Sequence, residues 1–391
     1  MAHNLWFRSF LPLAPLLASA ALVRVHAQAE PSSITWPALN GKVPSQRFRL
    51  SSKPRIDFGT AAGPDPTLLS GVVGAIRFPS GTIAVGDAGN NRVLLIHPPS
   101  PVAVIGRTGD GPGEYRIPYW LGRCGTEELG VFDAGHNSLT LVSSTGILRT
   151  SMTLPPTISF DQIVLCRGEH NLFVLLVHPT NQLVGGESFL VPTVLVRLRG
   201  GTRLDTIGKA GVQEYYVGKG VNAFIDKVLG KASLVAANAD LIYSCDNQNG
   251  VVTVIDTSGA STGEFRLGLN RRRVNAADWT TALSERLAVH PYARSRVRIQ
   301  AVLHELRAPK EFPLIDAIRV DVFGHLWVKT YDNYSSSIAT WLVVTKTGRP
   351  IAVIAMPRAL DIKEVGEDYV LGVAPDNDGV QHVMLYDLIR K

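Results

Sequence analysis

Three sets of residues in this chain have types and spacings that could do chemistry. Asp316, Arg319 and Asp321 stand close together on one short apolar segment, and Arg77 and Arg123 hold comparable places upstream. Carboxylates and guanidiniums on the inner edge of a sheet can orient a polar ligand or, with further oxygens, hold a metal. The second set is basic: nine arginines but only Asp278, Glu285 and Glu305 fall between Arg266 and Arg307. The third set repeats, since Asp87 and Asn91, Asp133 and Asn137, and Asp246 all sit at short polar turns.

Most familiar chemistries lack their signature. There is no nucleophile elbow, no zinc-protease helix and no kinase motif. Gly111-Pro112-Gly113 has no Gly-Lys-Ser/Thr and no following helix, so it is a connector and not a phosphate loop. The Asp/Asn turns lack the oxygen ladder and distal Glu of a calcium loop. Asp87, Asn91, Asp133, Asn137 and Asp246 are therefore assigned to structural turns, where Asp and Asn side chains take up backbone N–H groups. The histidines are scattered, with His290 and His304 too far apart for a metal face. No catalytic residue, metal site or cofactor is assigned on these grounds.

The basic segment carries a net +6, equal to that of the whole 391-residue chain, so the remainder sums to zero. Such a surface steers anionic partners, whether an anionic ligand, a glycan or an acidic envelope protein. Arg271, Arg272, Arg273, Arg294 and Arg298 are its candidate contacts, beside Arg77, Arg123, Asp316, Arg319 and Asp321 on inner strands. The bland alternatives are a solvated helical face paired with nearby acids, and a ring of ion pairs between neighbouring sheets. A nucleic-acid partner is not expected, because no aromatic-interleaved groove accompanies the charge.

These side chains must be positioned by short strands. Charged residues make up 18% of the chain, Gly and Pro number 36 and 24, and apolar runs such as 82–85, 93–96 and 102–105 are cut by turn clusters. The Asp87 turn returns 46 residues later at Asp133, more loosely at Asp246, and again at Asp332 and Asp376, 44 apart. The connector Ile105-Gly106-Arg107 through Tyr115 returns as Ile207-Gly208-Lys209 through Tyr215. A mid-forties period with four strands per unit is a propeller blade. Units opening near Val72, Leu121, Gln162, Ala232, Ile315 and Ile362 give an all-β, six-bladed β-propeller with four-stranded antiparallel blades. The last unit is one strand short at Lys391, and the N-terminal strand in 46–50 or 54–59 is expected to close it.

One segment, 275–312, departs from the β pattern as a helical insertion between blades four and five. Asn275 with Asp278 makes an N-cap, and Trp279, Leu283 and Leu287 form one stripe. A second helix follows from about Tyr292 to Leu306, ended by Pro309 and Pro313.

At this point the residues resemble a known group. Asp87-x-Gly-Asn-Asn-Arg-Val and Ile105-Gly106-Arg107 through Gly113-Glu114-Tyr115-x-x-Pro118 look like the NHL-type repeat. The chain resembles exported bacterial six-bladed β-propeller proteins of that type. Phe48-Arg49-Leu50, Gly324-His325-Leu326-Trp327-Val328 and Gly348-Arg349 with Pro357 carry the match further. The resemblance implies architecture more than activity. The expected function is an exported, non-catalytic propeller binding a ligand or protein partner through its loop face and channel mouth. The rival is a metal-dependent hydrolase, lactonase or lyase with Ca or Zn in the channel, though segment 72–77 lacks the opening Glu-Gly-Pro that gluconolactonase-like propellers carry.

The N-terminus reads as a cleavable signal peptide over 1–27, with an apolar run at 10–23 and a small-residue site around Ala27. An extension over 28–45 leads into the propeller at 46–391. The product is expected to be secreted or periplasmic, monomeric, and without a membrane span once the signal is removed. Of Cys124, Cys166 and Cys245 at least one must stay unpaired, and Cys124–Cys166 could equally be a disulfide or two buried thiols.

Overall fold

The computed structural model describes residues 46–61, 67–98, 102–154, 160–167, 171–177, 184–200, 203–219, 224–288, 293–331 and 334–390. Residues 1–27, where a signal peptide is expected, and the 28–45 extension lie outside the described residues, as do Asp332, His170, His178 and His290.

Each apolar run becomes a short strand, and the turns fold successive strands into antiparallel sheets. Strands Val72–Arg77, Ile83–Asp87, Arg92–Ile96 and Val102–Ile105 pair in chain order as the first sheet. Its two middle strands are buried throughout, whereas the last strand is half-exposed. That gradient explains why the middle strands read as unbroken apolar runs, since a neighbouring sheet covers each face. The pattern repeats in sheets whose first strands are Pro118–Gly125, Phe160–Arg167, Ser233–Ala237, Ala317–Val320 and Asp361–Val365. Three of these sheets have four strands, the third in order has five, and the strands opening at Ala317 and Asp361 are joined through Gln46–Leu50 into one sheet of nine; serial antiparallel sheets packed face to face form a β-propeller.

The core lies between the sheets. Ile76, Ala84 and Val93 of the first sheet pack on Leu121, Leu129 and Val131 of the second. Val85 and Leu94 pack on Leu371 and Val383 of the last sheet, so the series closes on itself. Gly74 shows how tight this is: a Cβ there would lie 2.1 Å from the carbonyl oxygen of Leu121. The first two inner strands can approach only because that side chain is absent.

Closure is made by pairing the N-terminal strands with the last ones. Gln46–Leu50 pairs in parallel with Pro350–Pro357 through Gln46 and Arg47, then antiparallel with Gln381–Arg390 through Phe48, Arg49 and Leu50. Ile56–Phe58 adds to the same final strand. Both N-terminal segments singled out by the sequence are therefore used, and they cover the edge of the last strand.

One region departs from the sequence expectation. The second connector copy is not a loop: Arg203–Val217 is one 15-residue strand paired along Ser188–Arg199. The first copy contains Gly111-Pro112-Gly113, which ends any ladder, and the second lacks such a break. Irregularities at Thr193/Val194 and Leu195/Val196 absorb the mismatch. Two helices, α1 (Ala276–Ala288) and α2 (Ala293–Glu305), lie between strands Ser261–Arg266 and Ala317–Val320. Asn275 accepts a hydrogen bond from the Asp278 N–H (2.9 Å) and donates its own N–H to the Asp278 carboxylate (3.1 Å), a reciprocal cap. Trp279, Leu283 and Leu287 pack with Ile299, Val302 and Leu303 against Tyr331 and Tyr334.

Candidate functional site

The first strands of the sheets surround a cavity of about 840 Å³, lined by residues 73–76, 120–126, 162–167, 235–240, 319–322 and 362–365. Strand alternation and the convergence of these strands bring distant polar side chains together here. A bridge between Asp321 and Val365, and a hydrogen bond from the Asn238 amide to Asp321 O (3.2 Å), place these residues at one level.

At that end of the cavity Arg123 and Glu364 form an ion pair (2.8 Å). Arg123 also donates to Arg77 O (2.6 Å), while Glu364 accepts the Arg77 backbone N–H (2.7 Å). Burial, followed by the nearby Glu364 carboxylate, pushes the Tyr369 hydroxyl upward in pKa. Glu364 thus links the last sheet to the first and second. Two residues before Asp321, Arg319 donates to Ile362 O (2.6 Å), Ile318 O (2.8 Å) and the Asp361 carboxylate (3.0 Å). Lys363 pairs with the other oxygen of Asp361 (2.8 Å). Asp361 is half-exposed; partial desolvation opposes its ionisation, but Lys363 and Arg319 outweigh it and lower its pKa.

Of the five inner-strand candidates, Arg123 and Arg319 stand on the cavity wall with their guanidiniums tied to carboxylates of the last sheet. Arg77 is not part of that wall: its guanidinium lies over the Tyr369 ring at 4.9 Å. Asp316 is also off it, paired with Lys329 (2.9 Å) on the next strand. The strand starts at Ala317, so Asp316 precedes the stretch that meets the cavity. Asp321 belongs to the wall, yet its side chain is fully buried. It accepts from the N–H groups of Phe323 (3.0 Å) and His325 (2.8 Å), Trp327 Nε1 (3.1 Å) and Arg390 Nη1 (2.9 Å). Burial resists its charge, but His325 and Arg390 hold the carboxyl below its ordinary 3.8. Asp361, Lys363 and Glu364 were not singled out from sequence. The signal was there in the alternating Asp361-Ile362-Lys363-Glu364, at the start of a unit.

Cys124 and Cys166 form a disulfide on this wall, with Cα atoms 4.6 Å apart, joining adjacent inner strands. Cys245 is a buried free thiol, pushed up to about 12 chiefly by burial. Among the described residues no three His, Cys, Asp or Glu side chains converge as a metal set would, so no metal-dependent step is derived.

The repeated turns perform one task. Asp87 is fully buried and accepts from Ser70 N (2.9 Å), Asn90 Nδ2 (2.8 Å) and Arg92 Nε (2.8 Å). Asp133 accepts from the N–H groups of Arg116 (2.9 Å) and Ile117 (2.8 Å). In both, the second strand's last carboxylate grips the backbone just ahead of its own inner strand. In the fourth sheet this grip shifts by one residue: Asn247, not Asp246, accepts from Ala232 N (3.0 Å), while Asp246 caps Gln248 N (2.7 Å). Asn91 and Asn137 adopt the left-handed conformation that the turn needs (φ 51 and 49). His136 bridges Asp110 and Asp133 (2.7 Å each), and the Asp110 hydrogen bond leads in raising its pKa.

Part of the basic segment is paired with neighbouring groups. Arg271 donates to Gln248 O (2.7 Å), Arg272 pairs with Asp278 (2.9 Å) beneath Phe312, and Arg286 pairs with Asp226 (2.7 Å). Arg273, Arg298 and Arg307 are exposed, and the side chain of Arg294 lies outside the described residues.

No family model matches the chain, and no curated protein matches its sequence. Solved structures do. A Bacteroides fragilis protein described as exported shares 13% identity over 90% of this chain and 97% of its own, with a TM-score of 0.49. A calcium-binding protein, regucalcin, from Agrobacterium tumefaciens shares 11% over 83% and 92%, at 0.41. Virginiamycin B lyase from Staphylococcus aureus shares 13% over 88% and 99%, at 0.37. Likeness at this level says nothing about activity.

Proposed function

We propose that this chain is an exported six-bladed β-propeller of NHL type that binds, without catalysis, a small polar ligand in the cavity of its inner strands. In this reading a signal over 1–27 is removed, 46–50 and 56–58 complete the sixth blade, and 275–312 is a helical insertion between the fourth and fifth. The insertion's exposed arginines add a loop face suited to an anionic protein or glycan. The observation that carries the reading is the cavity itself. Its volume lies within the roughly 300–1,000 Å³ typical of small-molecule sites, and charged groups including Arg123, Glu364, Arg319 and Lys363 line it. The Cys124–Cys166 bridge supports export, because such bonds persist in oxidising compartments.

The test compares thermal shifts of the wild-type protein and Ala239→Trp, a wall residue on an exposed turn, across sugars, sugar acids and sugar phosphates. At least one class should raise the melting temperature of the wild type and not of the variant. Equal shifts in both would place the site elsewhere. Stoichiometric calcium or zinc in the purified protein, with hydrolysis of a lactone, would instead favour a metal-dependent hydrolase.

A further inference from the structure

Charge on the cavity wall is not balanced evenly. Arg123 and Glu364 neutralise each other one to one. Asp321 is buried and spends its charge on Arg390, which comes from the final strand. Arg167 donates to Thr257 Oγ1 (2.8 Å), in a turn of the fourth sheet. Asp240, exposed in the turn after Asn238, adds a carboxylate to the same wall. Beside these, Arg319 and Lys363 are two neighbouring cations that share the single, half-exposed carboxylate of Asp361.

The donors of these cations are also only partly used. A guanidinium has five N–H groups and an ammonium three. Arg319 commits three, to Ile362 O, Ile318 O and Asp361. Lys363 commits one, to Asp361, with its side chain 17% exposed. Among the described residues, two N–H groups on each side chain have no protein partner. Withdrawing an ammonium from water beside another cation is costly unless an anion compensates.

We propose that the cavity's ligand is a small anion whose carboxylate or phosphate oxygens are held jointly by Arg319 and Lys363. This rests on the cavity being the binding site. The planar fork of Arg319 suits two oxygens of such a group, and Lys363 supplies a point charge beside it. Asp361 keeps the two cations apart and lowers the affinity that both would show if freed.

The experiment is calorimetric titration with glucuronate, inorganic phosphate and neutral glucose. It uses the wild type, Lys363→Met, Asp361→Asn and Ala239→Trp, with circular dichroism confirming that each is folded. Glucuronate or phosphate should bind the wild type and glucose should not, and whichever anion binds identifies the group. Lys363→Met, which leaves the Arg319–Asp361 pair in place, should weaken that anion about tenfold or more, as expected for losing a charge-assisted contact. Asp361→Asn should tighten it, and this variant keeps the test alive if Lys363→Met does not fold. Unchanged affinity in both variants overturns the proposal, as does absence of binding by both anions. Glucose bound as tightly as glucuronate, and lost in Ala239→Trp, overturns the anion while leaving the cavity as the site.

Discussion

Asp321 shows how far a residue's role depends on where its donors come from. Its neighbours in sequence, His325 and Trp327, supply part of its shell, but Arg390 arrives 69 residues later from the final strand. Removing one partner of a buried pair typically costs about 3–5 kcal/mol. Asp321→Asn should lose stability on that scale in denaturant unfolding. The pH dependence has a definite sign. The folded-state pKa is depressed, so the contribution is fully present above the unfolded value of about 3.9 and disappears as pH falls through the folded pKa. The stability gap between wild type and variant should therefore shrink as pH is lowered below about 4. A gap that stays constant to pH 2 would show that the carboxylate's charge does not matter. From sequence Asp321 looked like a channel ligand, because alternation tells which face a side chain takes but not what is packed over that face.

At the scale of elements, the repeated turn was the most legible feature. The grip of Asp87 and Asp133 on the backbone ahead of the inner strand recurs because each sheet needs the same return path. The one-residue shift to Asn247 was not legible, since Asp246 and Asn247 both have oxygens of suitable reach. The helices were read from their cap and stripe, and they form there. The disulfide was left open, because cysteine spacing does not fix the distance between strands on two sheets. Its closed segment spans 42 residues, for which the chain-entropy estimate is about 4 kcal/mol. The Cys124→Ser/Cys166→Ser double variant should lose stability of that order in guanidinium unfolding. A loss below about 1 kcal/mol would mean that packing between these two sheets holds the seam unaided.

For the molecule as a whole, stability depends on the last sheet meeting the first. Gln46–Leu50 and Ile56–Phe58 cover the final strand, and Phe48 packs among Trp327, Ile354 and Leu388. A chain beginning at residue 59 should expose that strand's edge, melt at lower temperature, and associate with increasing concentration in light scattering, since uncovered edges pair with other chains. A monomeric product with the full-length melting temperature would show that closure is made by the apolar faces alone. The same closure creates the cavity, because only a completed circuit of inner strands brings residue 364 to residue 123.

The sequence by itself determined the repeat, the turn chemistry, the helical departure and two alternative N-terminal segments for the last sheet, both of which the structure uses. These follow from local rules: turn residues, the two-residue alternation of strands, and the period of the units. Only the tertiary structure decided which charged residues meet. Arg123 with Glu364, and Arg319 with Asp361 and Lys363, join residues 241 and about forty positions apart. It also removed Arg77 and Asp316 from the cavity and turned Arg271, Arg272 and Arg286 of the basic segment into partners of nearby acids and carbonyls. Local patterning sets the direction of a side chain, whereas the compensation of its charge depends on surfaces that become neighbours only when the sheets close.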